Sequence, residues 1–309
     1  MNIYLQKIKF MFAFTLAEVL ITLAIVGVVA AMTLPVLINK IQDSQYERAR
    51  AKILSSVGEA GRLLAVNGDI SSASDAEDFV KNYLSKKLKI VKTCDSNNLE
   101  KCGLSAKVKR PDGSQFNMPK KNEDSGFGKL NDTSSWYAVK NNLGYGFVTA
   151  NGYSINLFYN PNCTTSIDID DNNASGYICF NAIYDMNGLR NPNQVGKDIG
   201  FVTVLYPNET NRAVAPHAAP VYLAEKYTWT EAQNKCSELG KEYTLPDKDE
   251  LLAIAANKNF IYQSNNDPRW SSSSTTLNGK ASAWRVNFYE GSRNIKKQTD
   301  TNQVICIKR

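Results

Sequence analysis

Glu18 is the one ionisable side chain between Phe14 and Ile38, in the run FAFTLAEVLITLAIVGVVAAMTLPVLI, where the only other polar residues are Thr15, Thr22 and Thr33. An acid in a segment fit to cross a membrane is costly, so it calls for a function and for a partner. One chemistry supplies the partner. If the chain is cut between Ala13 and Phe14, the new N-terminus is a free amine. Glu18 then becomes the fifth residue, one helical turn from that amine. Its carboxylate can neutralise the amine of its own chain or of an adjacent one, and it suits the positive end of a helix.

Other reactive groups are scarce. His217 is the single histidine and lies in an apparent linker, so no Ser/His or Cys/His pair can be assembled. No glycine-rich loop for phosphate is present, and an enzyme is not expected. The six cysteines form no CxxC, which speaks against zinc. Six can pair in fifteen ways. Proximity favours Cys94 with Cys102 and Cys163 with Cys179, while Cys236 and Cys306 would tie the ends of a terminal domain. Such pairing needs an oxidising compartment. In YDMNGLRNPNQVGKDIG, Asp185, Asn187 and Asp198 offer oxygens that could hold calcium. No bidentate glutamate closes the loop, and a rigid Asn/Gly/Pro connection is the favoured reading. The acidic stretch Ile167–Asn173 is a weaker calcium candidate. No cofactor is therefore expected.

The elements that must position these residues follow from pattern. The 309 residues suffice for two modest domains and an extended element. Phe14 to Ile38 is long enough to cross a bilayer core, which takes roughly twenty apolar residues, and longer than the apolar core of a secretory signal. Beyond it, Ile38, Ile41, Ala49, Ile53, Val57, Ala60 and Leu64 recur at three- and four-residue steps. One helix is expected from Phe14 to about Val66, lipid-borne first and packed on a domain second, with Pro35 bending it. Asn67-Gly68 ends it. Tyr145–Asn160 reads as a hairpin turning at Asn151-Gly152. Tyr177–Asp185 and Ile199–Pro207 read as further strands of an antiparallel sheet laid on the helix. Residues 208–220 read as a linker. After it come two helices, Thr228–Gly240 and Leu245–Asn257, the second with Pro246 in its first turn, and then alternating strands. The net charge of +6 is mild and spread along the chain. Its nearest approach to a cluster, Lys86–Lys92, reads as a solvated face.

Two resemblances join this reading. The N-terminal segment resembles that of type IV pilins and type II secretion pseudopilins. It is carried by Phe14-Thr15-Leu16 after the cut, Glu18 at the fifth place and Pro35 at the twenty-second. The family usually has glycine before the cut; here it is Ala13, also small. The resemblance implies cleavage before Phe14 by a membrane prepilin peptidase, methylation of the new amine, and a role for Glu18 in registering subunits in a filament. The C-terminal ninety residues resemble the C-type lectin-like fold of bacterial surface proteins. That match runs through Trp229, Cys236, Leu245-Pro246, Trp270, Ala283-Trp284 and Cys306, and it implies a Cys236–Cys306 bridge. The calcium-binding triplets of its sugar-binding members are absent, and Trp270 and Trp284 read as core rather than sugar platforms.

The expected organisation is a leader (1–13), a transmembrane and amphipathic helix (14–66), a pilin-like globular domain (67–207), a linker (208–220) and a lectin-like domain (221–309). The fold class is α+β. The expected function is a minor pilin or pseudopilin carrying a C-terminal recognition module. Its partners would be the peptidase, other pilin or pseudopilin subunits, inner-membrane lipid, and a glycan, surface or secreted protein ligand. The place is a single-pass bacterial inner-membrane protein, its globular part periplasmic, or extracellular after assembly. A tethered binding protein outside any filament is the alternative. DNA capture for uptake would rest on charge alone, and nucleic acid is not expected.

Overall fold

The computed structural model describes residues 15–95, 97–118, 144–160, 178–205, 212–216, 219–257, 261, 267–288 and 293–309. The chain divides into two compact units, one up to Glu47 and one from Arg48 onward. Its class is α+β, a long N-terminal helix followed by antiparallel sheets.

Helix α1 (Leu16–Val66) is unbroken through Pro35. In the first unit its apolar residues stay uncovered, from Leu16 at 78% exposure to Ile41 at 49%. In the second unit Ile53, Val57, Ala60 and Leu64 are buried, as their spacing suggests. Each larger one stabilises the fold by about 1.5–3 kcal/mol through water released from its surface. Gly61 lets the helix lie close on the sheet: a Cβ there would meet the Val204 side chain at 3.0 Å. Short helical turns follow, including α2 (Ala76–Asp78).

The first sheet runs β1 (Ile90–Asp95), β4 (Tyr145–Thr149), β5 (Ser154–Tyr159), β6 (Ile178–Asp185), β7 (Ile199–Leu205) and β8 (Ala213–Val214) in that spatial order, every pair antiparallel. A small hairpin, β2 (Lys107–Lys109) with β3 (Gln115–Asn117), forms a separate two-stranded sheet. The β4–β5 turn falls where Asn151-Gly152 announced it, Gly152 taking φ of 83°. Strands β5, β6 and β7 are buried along their whole length. The physical reason is a sheet covered twice. One face packs on α1 through Phe147, Phe180 and Val204, and the other shares an apolar cluster with the C-terminal helix α4 through Ile183, Phe201, Leu252 and Ile254.

The C-terminal part holds β9 (Val221–Tyr227), α3 (Trp229–Glu238), β10 (Tyr243–Thr244), α4 (Lys248–Ala256), β11 (Arg269–Leu277), β12 (Lys280–Val286), β13 (Arg293–Lys297) and β14 (Asn302–Lys308). The strand order is β10-β14-β11-β12-β13, with β9 paired to β14. Pro246 is not in the first turn of α4 as expected. Asp247 is the cap, accepting from the Asp249 and Glu250 amides at 2.9 Å each, so Pro246 sits just outside. At α3, the Glu231 carboxylate accepts from the backbone N–H and hydroxyl of Thr228 at 2.9 and 2.8 Å. Glu231→Ala should therefore cost about 0.5–1 kcal/mol in urea unfolding.

Within the segment read as a linker, Ala213–Val214 closes the first sheet as β8, and the Arg212 guanidinium pairs with α4. Those residues are built into the structure and do not form a free tether. Elsewhere in that segment, His217 lies outside the described residues.

Candidate functional site

At the head of α1, Thr15 and Glu18 form a reciprocal cap. The Glu18 carboxylate accepts from the Thr15 N–H at 2.9 Å and its hydroxyl at 3.0 Å, and the Glu18 N–H donates back to that hydroxyl at 3.2 Å. Thr-Leu-Ala-Glu is a capping box, which satisfies amides that the first helical turn would otherwise leave bare. The acid thus has a local structural task as well as the one inferred from its place in the sequence. Ala13 and Phe14, the expected cleavage pair, lie outside the described residues, as does the whole leader. From Leu16 the helix is long and apolar enough to cross a membrane.

Disulfides join Cys94 to Cys102 and Cys236 to Cys306. Cys179 is also in a disulfide; Cys163 lies outside the described residues. The Cys236–Cys306 bridge links α3 to β14, where β9 also pairs, and so closes the C-terminal part on itself.

The loop between β6 and β7 brings Asp185 and Asp198 together, both fully buried. Asp185 Oδ1 accepts from the Asn187 and Gly188 amides at 3.0 and 2.8 Å. Asp198 accepts from the Asn193 and Gln194 amides, one on each oxygen, at 2.8 Å. Burial pushes Asp185 up to about 7, and the neighbouring Asp198 charge adds to this while the amides oppose it. Asp198 is raised too, chiefly by burial, against its amide bonds and a bond from the Asn187 side chain. Of the four carboxylate oxygens only Asp185 Oδ2 has no hydrogen-bond partner. N–H donors engage the other three carboxylate oxygens, as a pegged connection requires, while Asn193 Oδ1 in the same loop is, like Asp185 Oδ2, buried without a hydrogen-bond partner. The acidic stretch 167–173 lies outside the described residues.

In the C-terminal part Trp270 is fully buried, its indole N–H donating to the Tyr227 carbonyl at 2.9 Å. Trp284 is half-buried, and the Lys248 ammonium sits 5.3 Å from its ring centre. Trp270 therefore presents no open aromatic face.

A polar junction between α4, β13 and the start of β8 went unforeseen. Asp249 is 2% exposed and Arg293 is 4% exposed. They meet at 3.0 Å, and Arg212 reaches Asp249 at 3.2 Å and Asp247 at 2.6 Å. Nearby, Asn181 on β6 and Asn257 at the end of α4 exchange amide hydrogen bonds at 2.9 and 3.1 Å. The Thr203 hydroxyl adds a third at 2.7 Å. No spacing rule links residues 212, 249 and 293. The sole signal was the buried-helix character of LLAIAA, which demanded a partner surface.

Searches with protein-family models and against curated proteins find no match for this chain.

Proposed function

We propose that this chain is a minor pilin or pseudopilin, a non-enzymatic subunit of a type IV pilus or type II secretion pseudopilus. It would be made as an inner-membrane precursor and processed by a prepilin peptidase before Phe14. The observation that carries the reading is one helix whose apolar, membrane-length first part, Leu16 to Ile38, holds a single acid, Glu18, in its first turn, one turn beyond the Ala13–Phe14 bond. After cleavage that carboxylate would have the new amine within reach, and Thr15 would keep its capping role. The disulfides suit a globular part outside the reducing cytoplasm. The C-terminal part, absent from a plain pilin plan, argues for a tip or low-copy subunit that contacts a glycan, a surface or a secreted protein.

Mass analysis of the N-terminal peptide from native membranes tests this reading. A methylated Phe14 at the N-terminus is expected; a chain still beginning at Met1 would sink the proposal. A second reading, a tethered binding protein outside any filament, has one observation in its favour. The Glu18 carboxylate is already satisfied within its own chain by Thr15. Glu18→Ala separates the two. Loss of filament incorporation with normal membrane insertion supports a subunit, and an unaffected variant supports the tether.

A further inference from the structure

The positive charge, read above as spread along the chain, is instead concentrated in one stretch. Residues 81–110 hold nine Lys and Arg against two Asp and Glu, a net charge of +7, where the whole chain carries +6. The rest of the molecule is therefore close to neutral. The structure sets much of this charge at the rim of the first sheet. Lys86 and Lys87 close the helical turns before β1, Lys89 and Lys92 flank its start, and Lys101 lies in the turn that follows it. All five are exposed, and none forms an ion pair among the described residues. β1 is the end strand of its sheet, pairing with β4 alone among the described strands. Between Lys89 and Lys92, Val91 is 60% exposed.

We propose that this lysine-rich rim is a docking face for an anionic lipid surface. The inference rests on the membrane-anchored reading given above. Lysine is a compact, strongly hydrated point charge suited to diffuse headgroup charge, whereas paired recognition of one phosphate favours arginine. An apolar side chain set among lysines suits an interface where headgroups meet acyl chains. Of the nearby rings Tyr145 is buried, and the Lys86 ammonium lies 5.4 Å from the ring centre of Tyr83. Tethering by α1 keeps the domain at high effective concentration near headgroups, so several weak charge contacts suffice to hold it. Such a face would hold the globular part against the bilayer until a competing partner draws it away.

The test uses the full chain with Val91→Cys, labelled with an environment-sensitive fluorophore. The native cysteines of the described residues are all in disulfides and do not compete for label. The protein is reconstituted into vesicles of phosphatidylcholine alone or with phosphatidylglycerol. A blue shift, and quenching by nitroxide lipid, are expected only with phosphatidylglycerol, and added salt should reverse both. Charge reversal at Lys86, Lys87, Lys89 and Lys92 should abolish them, since each lysine near an anionic surface contributes about fivefold in apparent affinity. Equal emission in both vesicles overturns the proposal and leaves the lysines as guards of an exposed strand edge. A response to added duplex DNA but not to phosphatidylglycerol overturns it in favour of a nucleic-acid face. The readout needs neither cleavage nor filament, so an uncut N-terminus leaves it intact. Failure of the chain to float with vesicles would instead remove the membrane reading on which it rests.

Discussion

Asp249→Ala should destabilise the protein by about 3–5 kcal/mol, the usual consequence of removing one partner from a buried ion pair. The carboxylate is shared by Arg293 and Arg212 and is almost wholly out of water. Without it, two guanidinium groups face a site built for a counter-charge, and the N-terminal turn of α4 loses a favourable acid. For a folded unit of this size the melting temperature should fall by roughly 10 °C. Asp249→Asn, which keeps the shape and an acceptor oxygen, should cost less. Asp247→Asn should cost less still, because Asp247 is partly exposed and its amide can still cap the helix. Thermal and urea unfolding of the detergent-solubilised chain measures all three. A change below about 0.5 kcal/mol in Asp249→Ala, the range of ordinary surface substitutions, would mean that the junction is not a brace between the two sheets.

Stability should also fall as pH rises from about 4 to 7. Asp185 has a folded-state pKa of about 7 against an ordinary 3.8. Across that window the folded protein keeps a proton that the unfolded chain has released. Unfolding is then linked to proton loss, and each pH unit favours it by up to about 1.4 kcal/mol. Relaxation of the loop and access of water reduce the total to the order of 1–3 kcal/mol by neutral pH. Above about 7 the dependence from this group ends. Asp185→Asn keeps the acceptor for the Asn187 and Gly188 amides but cannot ionise. It should flatten the profile and be more stable than the natural chain at pH 7.5. A melting temperature independent of pH between 5 and 8 in the natural chain would show that the pair does not hold a proton. The loop also meets the β2–β3 hairpin, where Lys109 and Val195 bond through their backbones at 2.9 Å, so hydrogen exchange there should rise with pH.

Much of the architecture was legible because it is local. The spacing of Ile53, Val57, Ala60 and Leu64 marks a helix face, and Asn151-Gly152 marks a turn. Each depends on residues within a turn or two of one another, so periodicity and propensity suffice. The uncovered apolar half of α1 is of the same kind, since length and composition alone decide whether a segment can span a bilayer. What stayed hidden depends on which distant surfaces meet. Strands β4 and β5 alternate in sequence, as if one face met water. The second face is nonetheless buried, because the short helical turn Leu99–Cys102 packs there from dozens of residues earlier in the chain. For the same reason a Pro- and Ala-rich stretch read as a linker turned out to hold an edge strand and Arg212. Its charge found a partner only when α4 and β13 were brought beside it. Even the lysines between residues 81 and 110, plain as a count, become one rim only through the order of strands in the sheet. Composition and spacing settled which segments are helix, strand and membrane-length. The joining of the two sheets, and the burial of Asp185, Asp198 and Asp249, were settled by long-range packing, whose energy depends on surfaces that no short stretch of chain contains.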